Sequence, residues 1–331
     1  MASVSLLMAV YAGDKPEWFR AAIQSAVFEQ TRPVDQVVLV IDGPLPREYE
    51  EVIDRIKLLE NSIVIQLRVN SGLAAALNEG LKHCSSEYVA RFDSDDICHP
   101  RRIELQMAYL ERVRNVDVLG TQIREFDENM KYCFGLRMVP CDHESIRNFS
   151  KKRSPVNHMT VIYKKSAVKD VGGYPRIHGR EDYGLWIKLL SDGYNFANMP
   201  DVLVDSRGGL PMLKRRGGQR HIKPEWNLHK YKISNNVYLK HFSYFILISR
   251  IIVALLPVSL RRLCYRLVRF RRNGQPFGFA ETAVLPKVAR GGEREAVSVL
   301  EIPFHVSGCG KIKEGIDPLE RDERDLFQDQ G

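Results

Sequence analysis

This 331-residue chain has no cysteine pair in C-x-x-C spacing; its six cysteines, Cys84, Cys98, Cys133, Cys141, Cys264 and Cys309, are scattered. That excludes the common zinc ribbons and fingers, and scattered thiols in a chain of this size fit a reducing compartment. Neither G-x-G-x-x-G nor a G-x-x-x-x-G-K-[S/T] loop occurs, which argues against a nicotinamide enzyme and a P-loop NTPase. No positively charged leader precedes the apolar run Val4–Ala12, so it reads as a first buried strand, and a cytoplasmic protein is expected. Long apolar runs are also scarce. The best, Phe242–Leu260, carries Arg250 near its middle and Pro257 inside. Spanning takes ~20 mostly apolar residues, and a central Arg costs ~2.5–3.5 kcal/mol on insertion, so crossing a bilayer is disfavoured.

Acidic residues are almost missing from one stretch. Residues 206–272 hold sixteen Lys and Arg against a single acid, Glu225, although the whole chain is only +8. The flanking regions are each mildly acidic. A mildly acidic domain followed by one basic block implies an anionic partner: phospholipid, nucleic acid or a phosphate-bearing substrate. With 44% apolar and 27% charged residues, the chain as a whole has the balance of a soluble globular protein.

What is there is an alternation. Val4–Val10, Val37–Ile41, Ile63–Leu67 and Tyr88–Phe92 are apolar runs of strand length. Between them, Trp18 to Val27, Val52 to Leu59 and Leu73–His83 recur at helical spacing. Asp14 with Glu17 reads as a capping box, and Pro16 suits a first helical turn. Strands apolar throughout, joined by helices, imply a mostly parallel sheet with helices on both faces. Further on, Ile103–Val113 and Glu181–Leu190 read as helices, and Val116–Ile123, Met159–Tyr163 and Phe196–Asp205 as strands. The expected division is 1–205 as the α/β domain, in halves 1–100 and 101–205. Residues 206–275 then form a basic loop with membrane-associating helices, and 276–331 a poorly structured tail.

Ligands of such sheets sit beyond the carboxyl ends of the strands. Those ends present Tyr11, Asp42, Asn70 and Asp93. Asp93-Ser94-Asp95-Asp96 puts three carboxylates within four residues. They suit either a capped turn or a hard divalent cation that leaves positions for a substrate diphosphate. Glu181-Asp182 opens a helix, where acids serve as caps or as a base. Asn70 and Asn78 bracket small residues that let a helix approach the sheet and a bound nucleotide closely. His158 reads as a satisfied histidine rather than a ligand.

Together, Met8-Ala9-Val10-Tyr11, Val40-Ile41-Asp42-Gly43, Asn70 through Asn78 with Gly72, Asp93-Ser94-Asp95-Asp96 and Gly179-Arg180-Glu181-Asp182 resemble a family 2 glycosyltransferase, closest to the bacterial exopolysaccharide and lipopolysaccharide type. The resemblance spans roughly residues 3–205 in the right order. It implies a GT-A fold and inverting transfer from a nucleotide-diphosphate sugar, with a UDP-sugar favoured. Carried over by motif, Tyr11 flanks the base and Asp42 bonds base or ribose. Asn70, Gly72 and Asn78 line the nucleotide, and Asp93 meets ribose or sugar. Asp95, helped by Asp96, holds Mg²⁺ or Mn²⁺, and Asp182 is the base beside a positioning Glu181. The chain departs from the pattern at Ala9 and Ala12 beside Tyr11, and at Ile41, where a second acid is common. The processive Q-x-x-R-W signature is absent, which favours single-sugar addition.

Arg216, in the glycine-flanked basic run Lys214–Arg220, is a candidate for closing over the diphosphate. Leu260, Leu263, Leu267 and Phe270 oppose Arg262, Arg266 and Arg269, as an amphipathic helix on an anionic leaflet would. The expected partners are therefore a nucleotide-sugar donor, a lipid-linked or polysaccharide acceptor and an anionic membrane surface on the inner face of the cell membrane, with no nucleic acid. Two other readings stay open: a nucleic-acid-binding protein using residues 206–272, and a sugar nucleotidyltransferase.

Overall fold

The computed structural model describes residues 2–208, 218, 222–235, 240–257 and 260. Among these, nine strands form one sheet in the order β3-β2-β1-β4-β8-β6-β9-β5, with β7 paired to β6. They are β1 (Val4–Val10), β2 (Gln36–Ile41), β3 (Ser62–Gln66), β4 (Tyr88–Phe92), β5 (Ile97–Cys98), β6 (Val118–Phe126), β7 (Cys133–Arg137), β8 (Ile162–Lys164) and β9 (Phe196–Arg207). The helices are α1 (Pro16–Ile23), α2 (Glu50–Lys57), α3 (Leu73–His83), α4 (Arg102–Arg112), α5 (His143–Ser150), α6 (Lys165–Asp170), α7 (Glu181–Ser191), α8 (Ile222–Ser234) and α9 (Lys240–Leu255).

The first four strands pair in parallel, as their continuous apolar runs predict. Side chains of a strand alternate between faces. Leu6, Met8, Leu39 and Phe92 therefore join a core with Phe19, Ile53, Ile56 and Met107, which come from α1, α2 and α4. Leu7, Val38, Val40 and Val89 join a second core with Leu77, Leu81, Trp186 and Leu189, from α3 and α7. Burial on both faces is what fixes the register, because a one-residue slip would exchange the two cores.

Beyond β4 the order becomes mixed. β8 runs antiparallel to both β4 and β6, and β6 is parallel to β9. The expected strand Met159–Tyr163 begins instead as a 3-10 turn over His158–Thr160. The reason is local. The Thr160 hydroxyl donates to the Asn157 carbonyl at 2.8 Å and accepts from the Thr121 amide, while the Asn157 amide donates to the Thr121 carbonyl. Side chains there replace the ladder bonds. The expected capping box also fails to form: Lys15 is the N-cap of α1 and makes no side-chain cap, although Pro16 does open the helix. Asp14 faces elsewhere, as described below.

Of the apolar run 242–260, the residues up to Leu255 belong to α9, sixteen residues long. Among the described residues, no helix is long and apolar enough to cross a membrane. The expected amphipathic helix after Leu260 and the tail after 276 lie outside the described residues.

Gly80 lets α3 lie directly on the sheet, where a Cβ would collide with Leu7 and stand 2.7 Å from Val40. Gly80→Val is expected to cost about 1–3 kcal/mol of folding stability by overpacking, read as a lower midpoint with unchanged slope in urea denaturation.

Candidate active site

Two turns at the strand ends build the floor of the site. The Asp42 carboxylate, buried at the end of β2, accepts from the Ser71 amide at 2.7 Å and the Gly72 amide at 2.9 Å. It thereby satisfies backbone donors at the start of α3, which has no cap of its own side-chain type. Gly43 makes this possible. Its φ is +92°, and a Cβ there would lie 2.7 Å from the Asn70 amide. Asn70 itself is exposed on the rim, as is Tyr11, 41% exposed at the end of β1.

The second turn carries the acids. Asp93, Asp95 and Asp96 each offer a carboxylate oxygen within 4.8 Å of the others. Asp93 is ion-paired with Arg91, a fully enclosed β4 side chain whose Nε and Nη1 have no partner. Asp96 is 1% exposed; its Oδ1 accepts from the Arg207 amide at 2.8 Å and its Oδ2 has no hydrogen-bond partner. Burial, then the charges of Asp95 and Asp93, push the Asp96 carboxyl well above its ordinary range. A buried acceptor without a donor, beside two more carboxylates, fits a cation: a positive ion would meet the orphaned oxygen and relieve the mutual repulsion.

Two residues that motif reading missed complete this turn. Asp14 accepts from the Ser94 hydroxyl at 2.7 Å and from the Tyr11 amide at 3.3 Å. It ties the ends of β1 and β4 together, and burial raises its pKa. Arg207 arrives through sheet register, since β5 pairs Ile97 with Asp205 and Cys98 with Val204. Its guanidinium lies 5.1 Å from the Trp18 ring and donates to the Glu128 carbonyl. No local sequence signal marks that pairing, because β5 is only two residues long.

The other acidic pair opens α7. Glu181 Oε2 is buried without a partner, and burial raises its pKa. Asp182 is half-buried beside it. The Tyr174 hydroxyl connects this pair to the first cluster: burial chiefly raises its pKa, and the charges of both Asp182 and Asp93 add to the rise. One acid of each cluster therefore bears on the same buried hydroxyl. The Tyr174 ring also meets His158, whose Nε2 is 3.2 Å from the Tyr174 hydroxyl, and Tyr163. Burial and the nearby Arg91 hold His158 well below its ordinary pKa, as a neutral packed histidine.

Asn78 is engaged away from the rim. Its amide donates to the Tyr174 carbonyl at 2.9 Å and accepts from the Tyr174 amide at 2.8 Å, clamping α3 to the turn that leads into α7. Just before α7, Arg180 bonds Glu225 of α8, and Arg250 of α9 bonds the other oxygen of Glu225 at 2.7 Å. Arg216 lies outside the described residues.

The chain is similar to known proteins. Residues 5–172 match the family model described as glycosyl transferase family 2. The amylovoran biosynthesis glycosyltransferase AmsE of Erwinia amylovora is 35% identical over 263 residues, covering 79% of this chain and 97% of that one. An Escherichia coli protein, UDP-Gal:alpha-D-GlcNAc-diphosphoundecaprenol beta-1,3-galactosyltransferase, is 37% identical over 265 residues, covering 80% of this chain and 95% of that one. Residues 1–349 of S. aureus TarS share the fold, with a TM-score of 0.56 at 18% identity, over 76% of this chain and 71% of that one.

The buried Glu181 gives a pH-dependent test. A carboxyl whose folded pKa is raised costs stability once ionised, and that cost disappears as pH falls through the folded value. Glu181→Gln is therefore expected to raise Tm at pH 7.5, with the gain shrinking toward the ordinary glutamate pKa of 4.5, as measured by thermal melts across that range.

Proposed function

The chain belongs to glycosyl transferase family 2 and has its GT-A fold, and we propose that it moves one sugar from a UDP-sugar to a lipid-linked saccharide at the cytoplasmic face of a bacterial membrane. One observation carries the reading: three carboxylates gather at the end of β4, and one of them, Asp93, and Asp182 of the α7 pair both bear on the buried Tyr174 hydroxyl. The relatives supply the substrate class. One is named for amylovoran biosynthesis, and another for transfer from UDP-Gal to a sugar on diphosphoundecaprenol. Family membership favours transfer over the nucleic-acid-binding and nucleotidyltransferase readings.

In the proposed mechanism the nucleotide lies across the strand ends, with Tyr11 against the base and Asp42, Asn70 and Gly72 around base and ribose. Asp42 also has a structural duty, since its oxygens hold the amides of Ser71 and Gly72 that lead into α3. Asp95, with Asp96 and Asp93 at hand, would hold Mg²⁺ or Mn²⁺. When bound, such an ion neutralises the charge that builds on the departing diphosphate. Arg207, stacked on Trp18 beside Asp96, adds a fixed positive charge on the same side. The acceptor hydroxyl attacks C1 from the face opposite the diphosphate. Its oxygen forms the new glycosidic bond, the bond from C1 to the diphosphate oxygen breaks, and Asp182 takes the hydroxyl proton. Glu181 positions Asp182 or the acceptor.

The decisive experiment is UDP-sugar turnover by the purified full chain in lipid, beginning with UDP-Gal. Turnover is expected to require Mn²⁺ or Mg²⁺ and to stop with EDTA. Asp182→Asn is expected to lower kcat by ~10²–10⁴-fold with UDP affinity retained in calorimetry. Near-normal turnover by that variant rules out Asp182 as the base.

A further inference from the structure

The exposed side of α9 is apolar apart from Ser249. Phe245 is 70% exposed, Ile248 and Ile252 are 56% and Leu255 is 51%. Their spacing of three, four and three residues places them on one stripe of the helix. The opposite side is already occupied: Leu247 and Ala254 are buried, and Arg250 turns inward to Glu225. The helix thus has an apolar side that the described residues leave uncovered.

The border of the stripe has the chemistry of an interface between oil and water. Tyr244, 46% exposed, lies 4.5 Å from the His229 ring, which in turn lies 5.7 Å from Trp226, 41% exposed. This aromatic row crosses from α9 to α8. The Lys230 ammonium sits 5.6 Å from the Trp226 ring, and Lys223 is exposed a turn earlier. Aromatic rings with a wet end, flanked by long cationic stems, suit the headgroup level of a bilayer. Among the described residues of α8 and α9 the one acid, Glu225, is buried between Arg180 and Arg250. The Gly218 amide, from the basic run that includes Arg216 and Arg220, donates to the Ala254 carbonyl at the far end of α9.

We propose that α8 and α9 form a membrane-docking face, with Phe245, Ile248, Ile252 and Leu255 inserted among the acyl chains of an anionic leaflet and Trp226, Tyr244, Lys223 and Lys230 at the headgroups. A sixteen-residue helix is too short to span and lies in the plane of the interface. The inference deepens the proposed transfer to a lipid-linked acceptor and rests on that reading for its purpose, though not for its test.

The test uses the full chain in flotation with phosphatidylcholine vesicles, with and without phosphatidylglycerol. The wild type is expected to float with the anionic vesicles, and Phe245→Glu with Ile252→Glu to lower the bound fraction by roughly tenfold or more. Both changes are at exposed positions, so Tm and UDP-sugar hydrolysis in lipid-free buffer are expected to stay unchanged. A wild type that does not float, or a double variant that floats equally well, overturns the proposal. So does a wild-type dimer in lipid-free light scattering that the double variant converts to monomer, because the stripe then meets a second copy. Absence of hydrolysis by a wild type that floats defeats the transferase reading alone.

Discussion

Three carboxylates of like charge sit within 4.8 Å of one another at the end of a buried strand, and that repulsion governs how the surrounding chain is arranged. Separated charges of one sign in a low-dielectric site cost several kcal/mol unless something opposes them. The fold supplies partial opposition from two directions. Arg91 comes up from within β4 to pair with Asp93, and Arg207 comes across from β9 to offer its amide to Asp96. Neither reaches the remaining oxygen of Asp96. The site is thus held together by the sheet while one acceptor is left for a cation, which is the condition a diphosphate-binding centre requires.

The same sheet explains why separate motifs come to one place. Tyr11, Asp42 and Asp93 follow three parallel neighbours, β1, β2 and β4, so their positions are set by ladder register rather than by loop conformation. Asp14 bonded to Ser94 and Asp42 bonded to the start of α3 then stitch adjacent ends to each other. Several residues that sequence motifs assign to ligand therefore also hold the scaffold. Asn78 is the clearest instance, since both polar atoms of its amide bond the backbone of Tyr174.

The first half of the fold was legible because its signals are strong and continuous. Four apolar runs become four parallel strands, and Leu73–His83 is helical over the range its spacing predicts. Legibility falls where side chains take over backbone duties. Thr160 and Asn157 turn an expected strand into a 3-10 turn, and Asp14 looks like a cap but bonds Ser94. β7 is largely exposed and α5 is short and polar, so neither carries a hydrophobic period to read. In the site, the acids were visible as clusters, whereas Arg91 and Arg207 were not. A buried arginine in an apolar strand looks like an interruption, and a two-residue strand leaves no trace in sequence.

Glu225 bonds two arginines on different elements, one beside the acid pair of α7 and the other on the helix with the apolar outer stripe. Removing that carboxylate would leave two half-buried guanidinium groups without their shared partner, so the three side chains stand or fall together. Through Glu225 the two outer helices are thus tied to the residue that immediately precedes the acid pair of α7.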